Sequence, residues 1–377
     1  MNENTSPLLL VGVGGAGCSL AATIARQPRV DAATLLADSD ASAARPAGLP
    51  FVLLGGDRLA GRGTGGDMVL GRLAAEDSSA SVAERLQGVR LAVVAAGLGG
   101  GTGGGSAPEI VSQITSFGIP VIAFATMPFS FEGDDRRQKA QRAAVALEEA
   151  ADATVVLPLE ALAGGRDATI DEAMAKAAES FSSAVSLFWR MLGRPGYIKI
   201  DIERARRVIS GAGRGRFAAA SGARGEGRAA AALDMLARSP LLSAQLAKPR
   251  RILCGILAGD DLTLRETGEI AEGVRDLFGR SATFDLATVN DEESFGGQIS
   301  VAALAFESSG DPAAADGGAQ ERKLRSRQQA RRGRRASSPL ALSPQGRGRF
   351  NNVEPTVWNG EDLDIPTFIR RNISLDL

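Results

Sequence analysis

Two glycine-rich runs carry the first recognisable chemistry in this chain. Gly12, Gly14 and Gly17 form a G-x-G-x-x-G between an apolar run and a helical pattern, where absent side chains let backbone amides approach a phosphate. Glycine then stands at 97, 99, 100, 101, 103, 104 and 105, just ahead of Ser106, Ala107 and Pro108. Ordering so many glycines is costly, and flexible linkers seldom sit between a buried strand and a helix. Successive amides in such a run form an anion-binding nest, and a helix beginning near Pro108 adds its dipole. Two such loops at the carboxyl ends of neighbouring strands suit a nucleoside di- or triphosphate. A dinucleotide oxidoreductase remains a further reading, supported by Gly12, Gly14, Gly17 and Asp38, an acid near a strand end where a ribose would sit. It leaves the second glycine run unexplained.

The remaining composition narrows the chemistry further. The 377 residues include no histidine and two cysteines, Cys18 and Cys254. His-based triads, His general bases and His-ligated metals are excluded, as are structural zinc and a disulfide framework. Reactions must use carboxylates, Lys, Arg, hydroxyls, backbone amides or water. Magnesium held with the nucleotide is compatible with this set, and no metal site built from side chains is expected. Lys and Arg total 43 against 44 for Asp and Glu, so no global charge points to nucleic acid. Two cysteines in a chain of this length fit a reducing cytoplasm.

These residues need a scaffold, and the apolar periodicity supplies one. Strands are predicted at residues 8–13, 34–37, 51–54, 91–96, 121–125 and 155–157, and helices at 18–26, 110–117, 136–151 and 171–192. A further helical pattern over 68–86 carries a break near Asp77, after a Gly-rich loop at 61–66. This alternation predicts a doubly wound parallel α/β sheet. The uncharged stretch 8–25 is long enough to span a membrane, but its glycines favour strand, tight loop and packed helix. A helix at 228–237 and strands at 252–257 and 299–306 predict a second α/β domain. Past Glu307 the chain fills with Ser, Gly, Pro, Arg and Gln, a composition that predicts disorder, and residues 322–335 are cationic with no acid.

The glycine run at 97–108, followed by Pro128-Phe129-Ser130-Phe131-Glu132-Gly133, resembles the FtsZ family, bacterial tubulin homologues that polymerise for cell division. The similarity extends over residues 8–306 and includes Ser239-Pro240-Leu241-Leu242 and Ala258-Gly259-Asp260-Asp261-Leu262. Residues 363–371 are similar to the family's adaptor-binding peptide. The resemblance implies a Rossmann-like tubulin/FtsZ nucleotide-binding domain joined by a long central helix to a smaller α/β domain, then a disordered tail. On that basis residues 1–192 form the GTP-binding domain and 193–307 the second domain. Residues 308–362 are a linker, and 363–377 the adaptor-binding peptide.

The resemblance also implies GTP or GDP as ligand. Gly14, Gly15, Ala16, Gly17, Cys18 and Ser19 would form the first phosphate loop, and Gly99, Gly100, Gly101, Thr102 and Gly103 the second, with Gly65 nearby. Glu132 would bind ribose and Arg136 the phosphate side, roles a carboxylate and a guanidinium can fill. Glu179 falls where the family reads guanine, although it is longer than the expected Asp and Met174 replaces a stacking aromatic. The implied partners are further copies in a head-to-tail filament, and division adaptors contacted by Ile365, Pro366, Phe368, Ile369 and Arg370. Those adaptors would provide an indirect link to the membrane, at the division site of a bacterium. No specific nucleic acid is implied.

In the family, an acidic loop of one subunit positions water on the next subunit's nucleotide. The matching segment is Ile198-Lys199-Ile200-Asp201-Ile202-Glu203-Arg204. Asp201 supplies the first acid and Glu203 stands nearby, but Arg204 replaces the expected second acid and Lys199 an amide residue. An always-charged Arg cannot act as a base. The expectation is a GTPase that assembles with slow or impaired hydrolysis, and the alternative is a non-hydrolysing structural or regulatory paralogue.

Overall fold

The computed structural model describes residues 6–26, 33–42, 48–162, 169–193, 196–242, 249–307, 357–358 and 361–362. It divides into two units, Met1–Glu321 and Arg322–Leu377. In the first, β1 (Leu8–Val13) leads into α1 (Gly14–Ala25), followed by β2 (Ala33–Asp38), β3 (Phe51–Leu53) and three helices, α2 (Gly56–Leu59), α3 (Met68–Asp77) and α4 (Ser79–Ala83). Then come β4 (Leu91–Gly97), α5 (Ala107–Ser116), β5 (Val121–Met127), α6 (Asp134–Ala150), β6 (Ala153–Pro158), α7 (Leu159–Leu162) and α8 (Ile170–Gly193). The chain continues through α9 (Ile202–Ile209), β7 (Gly213–Arg224), α10 (Arg228–Ala237), β8 (Arg251–Ala258), α11 (Leu264–Phe278), β9 (Thr283–Asn290), α12 (Glu292–Phe295) and β10 (Gln298–Phe306).

All ten strands form one sheet in the order β3-β2-β1-β4-β5-β6-β7-β10-β8-β9. From β3 to β7 neighbouring strands are parallel, whereas β10 runs antiparallel to both its neighbours. β1 and β4 are buried along nearly their whole length because helices cover both faces, which explains their unbroken apolar runs. The link between the two halves is β6 pairing with the start of β7, at Ala153↔Gly213 through Val155↔Gly215. It is backed by aromatic packing: Phe124 of β5 meets Phe181 and Phe188 of α8 and Phe217 of β7 at centroid separations of 6.1, 6.0 and 5.7 Å.

Several elements differ from the sequence reading. α1 starts at Gly14 rather than Cys18, so the helix takes in the glycine-rich turn despite glycine's poor propensity. α9, α11, β9 and β7 are absent from the reading. β7 is Gly-Arg-Gly-Arg-Phe-Ala-Ala-Ala-Ser-Gly-Ala-Arg, without a β-branched residue, and is made a strand by its neighbours. The break expected near Asp77 falls at Ser78, whose Oγ accepts from Gly55 N at 2.9 Å. In the second unit, Val357–Trp358 pairs antiparallel with Glu361–Asp362 inside the segment read as linker, and Asn359-Gly360, a pair that favours two-residue hairpin turns, stands between them in sequence. The basic run and residues 363–377 lie outside the described residues.

The second half is anchored by a buried guanidinium. Arg228, at the start of α10, donates from Nε to Glu266 at 2.7 Å and from Nη1 to Asp261 at 2.6 Å, with its side chain 8% exposed. Glu266 also forms a capping box with Thr263 at the start of α11. The Arg228 hydrogen bonds hold the Glu266 carboxyl down at about 2. Its folded value lies below the ordinary ~4.3, so it contributes stability that is present above pH ~4 and is lost as pH falls toward 2. Urea unfolding of Glu266→Gln should therefore show a shallower loss of stability than wild type over that acid window. Arg228→Ala strands a buried carboxylate and should cost about 3 kcal/mol at neutral pH.

Candidate functional site

The two glycine runs meet at the carboxyl edge of the sheet. β1 and β4 are parallel neighbours in register from Leu8↔Leu91 to Val13↔Ala96, so the chain leaves both at the same height. After Val13 it turns into α1 through Gly14 at φ 72°, a left-handed conformation that favours glycine. No side chain caps this helix and no acid lies in its first turn, which leaves its opening N–H groups available. After β4 the chain enters a π-helical turn, Thr102–Ser106, that runs straight into α5. The segment read as a loop is therefore helical from Thr102, and its N-terminus at Gly101 also has no side-chain cap.

Close backbone packing explains why these positions are glycine. A Cβ on Gly17 would stand 2.3 Å from Ala95 O, one on Gly103 2.1 Å from Gly97 O, and one on Gly14 2.9 Å from Gly103 N. On the far side, a Cβ on Gly101 would lie 2.2 Å from Thr64 Oγ1, and one on Gly105 2.1 Å from Met68 O. Ser39 at the end of β2 and Thr102 share a hydroxyl hydrogen bond of 2.6 Å, tying a third strand end to the same turn. Gly15, Ala16 and Ser19 remain exposed, while Gly65 and Gly100 have open space where a Cβ would be. The result is a small-residue floor between two uncapped helix starts, a shape and a charge distribution suited to an anionic chain of phosphates.

Other residues named from the sequence are placed as follows. Cys18 is buried, with its thiol directed to Gly12 O and Ala37 O and pushed up to about 12 by burial and then by Asp38. It is a neutral packing group, and its side chain does not face the floor. Glu132 accepts from Phe129 N at 2.8 Å and pairs with Arg136 at 3.0 Å, and the Arg136 side chain lies against Gly99. Phe131 beside them is 65% exposed and stacked on buried Phe129. Glu179 is exposed on α8 and pairs with Lys176 at 3.7 Å, one residue beyond Ala178, which packs on the cluster containing Cys18 and Leu20. Ile365, Pro366, Phe368, Ile369 and Arg370 lie outside the described residues.

The acidic segment lies elsewhere. Asp201 caps α9, accepting from Arg204 N at 2.7 Å. Arg204 reaches to β9, where its Nε donates to Asp285 at 2.7 Å; Asp285 is 7% exposed. Glu203 pairs with Arg90 and with Arg206, and Arg206 also donates to Gly118 O at 3.2 Å. Arg90 directly precedes β4 and Gly118 shortly precedes β5, so α9 sits at the amino edge of the parallel strands. β4 spans 7 residues, which puts the phosphate floor and Asp201 at opposite edges about 20 Å apart. Asp285 was missed in the sequence reading; the signal was a charge inside an apolar strand.

Gly103→Ala should lower stability by about 1–3 kcal/mol in thermal or urea unfolding because its Cβ meets backbone. Gly100→Ala, facing open space, should stay within about 0.5 kcal/mol of wild type.

Comparison with known proteins agrees with this geometry. Residues 7–166 match the model of the Tubulin/FtsZ family GTPase domain, and residues 217–307 that of the FtsZ family C-terminal domain. The chain is 33% identical over 293 residues to the cell division protein FtsZ of Pseudomonas aeruginosa, covering 77% of this chain and 74% of that one. Among solved structures, an empty FtsZ dimer of M. jannaschii superposes with a TM-score of 0.74 at 27% identity, covering 79% of this chain and 87% of that one. A GTPgS-bound CetZ2 protofilament of Haloferax volcanii shares the fold at a TM-score of 0.67 and 21% identity, covering 85% and 99%. This chain belongs to the FtsZ branch of the tubulin/FtsZ GTPase family.

Proposed function

We propose that this protein binds GTP or GDP on the floor between α1 and the π-helical turn and assembles head to tail into filaments in a dividing bacterium. The observation that carries this reading is the separation of the two parts of the site. The phosphate floor lies at the carboxyl edge of the sheet and Asp201 at the amino edge, so one chain cannot bring its own Asp201 to its own nucleotide. A second copy stacked edge to edge completes the site, and a heterologous contact of that kind propagates into a filament. CetZ2, which shares the fold, has been seen as a GTPgS-bound protofilament. Arg136, held beside Gly99 and paired with Glu132, is positioned to exchange its carboxylate partner for phosphate while Glu132 turns to ribose. Glu179 is our candidate for the guanine edge, after release from Lys176. In the tail, Ile365, Pro366, Phe368, Ile369 and Arg370 are candidates for adaptor contact.

Hydrolysis in this reading is slow. Asp201 already spends one oxygen capping α9, and Arg204 is committed to Asp285. A water at the interface is thus served by one carboxylate. The Arg204–Asp285 pair also favours a second reading, a nucleotide-binding filament subunit with no useful turnover.

Phosphate release and pelleting, measured together with GTP and with GDP beside the Pseudomonas relative, test both parts. Assembly with GTP and turnover well below the relative's is expected. Pelleting indifferent to nucleotide would defeat the filament reading, and turnover equal to the relative's would defeat the claim of slow hydrolysis. Arg204→Asp alone should not restore turnover, because it sets a new carboxylate against buried Asp285. The double variant Arg204→Asp, Asp285→Asn removes that repulsion and should raise the rate about tenfold or more.

A further inference from the structure

Asp38 has no part in the site described above, yet it stands at its edge. It ends β2, is 3% exposed, and directs Oδ2 toward Gly15, 3.9 Å from where a Cβ on that residue would lie. Its other oxygen, Oδ1, accepts from Asp40 N at 3.2 Å. The next residue, Ser39, makes the hydroxyl contact to Thr102 that joins β2 to the π-helical turn. A carboxyl is thus held between the two phosphate loops, facing the exposed backbone of the first.

Among the described residues, the groups that act on this carboxyl include no balancing cation. From α1 it faces the Cys18 thiol, which it pushes upward, and from its own turn it faces Asp40, a second carboxylate. The flanking strands β1 and β3 contain no titratable residue. The π-helical turn offers Thr102, and on the facing loop Arg62 is exposed and exerts no resolved influence on Asp38. Burial raises the Asp38 carboxyl above its ordinary value, against the backbone N–H bonds of Asp40 and Ser39. An ionised carboxylate here would repel each phosphate brought to the floor, whereas a neutral one has an O–H to donate.

We propose that Asp38 binds nucleotide phosphate as a neutral carboxylic acid, its Oδ2–H donating to a phosphate oxygen, so that nucleotide entry takes up one proton. Oδ1 keeps its bond to Asp40 N in either state, so the proton resides on the oxygen that faces the loop. The inference rests on the nucleotide reading above and adds a proton to it. Its consequence is a site that holds GTP or GDP more tightly as pH falls.

GDP affinity measured between about pH 6 and 8 with magnesium present, for wild type and Asp38→Asn, tests this. Uptake of one proton makes wild-type affinity fall about tenfold per pH unit more steeply than that of the variant, which keeps the oxygen facing Asp40 N but cannot titrate. The variant also serves as the control for ionisation of the GDP phosphate itself. Calorimetry of wild type in two buffers of different ionisation enthalpy should give one proton absorbed per GDP, and this arm does not depend on the variant folding. Equal pH slopes, or no proton uptake, overturn the proposal. So does a wild-type advantage that vanishes with EDTA, since the carboxylate would then be holding a cation. Failure of both proteins to bind GDP at any pH defeats the nucleotide reading instead.

Discussion

The site depends on backbone meeting backbone without intervening side chains. β1 and β4 deliver two helix starts to one place only because Gly14 lies against Gly103, Gly17 against Ala95 O of β4, and Gly103 against Gly97 O. The same turn is gripped from behind, where Gly71 packs on Gly101 O and Gly105 on Met68 O. A Cβ at any of these positions falls inside van der Waals distance of backbone, which cannot move aside as a side chain can. Packing of this density offsets the entropy cost of ordering a glycine-rich segment and leaves two helix starts without side-chain caps beside it.

The second structural decision is the continuity of the sheet. Pairing of β6 with β7 and the Phe124, Phe181, Phe188 and Phe217 cluster fix the second half against the first. α9 is thereby held at the amino edge, fastened by Glu203 to Arg90 and by Arg206 to Gly118 O. The continuous sheet between the glycine floor and α9 holds the two at opposite edges of one chain.

Charge has been redistributed at that edge. Arg204 is balanced by buried Asp285 on β9, a carboxylate 81 positions away in sequence. Asp285 without Arg204 would be a buried, unpaired anion, whereas half-exposed Arg204 keeps its access to water. The pair therefore ties α9 to β9, while the candidate acids Asp201 and Glu203 are engaged with the α9 cap and with Arg90 and Arg206. Asp38 shows the opposite situation, a buried carboxyl raised by burial and faced by Asp40 and the Cys18 thiol.

By itself, the order of apolar runs and glycines determined the parallel sheet, the strand-to-helix junctions and the two glycine-rich turns, because periodicity and the need for missing Cβ atoms are local properties. Asp201 and Arg204 became candidates only through the resemblance to the family, whose acidic loop their segment matches. Only the tertiary structure decided that β7, built of Gly, Arg and Ala, is a central strand, since its neighbours impose that conformation. The partners of Arg204, Glu203 and Arg228 were likewise invisible, lying far away along the chain and meeting only across packed elements. Cys18 shows the limit most plainly: its place in the loop was legible, but whether its thiol faces phosphate or core depends on packing, and the core took it.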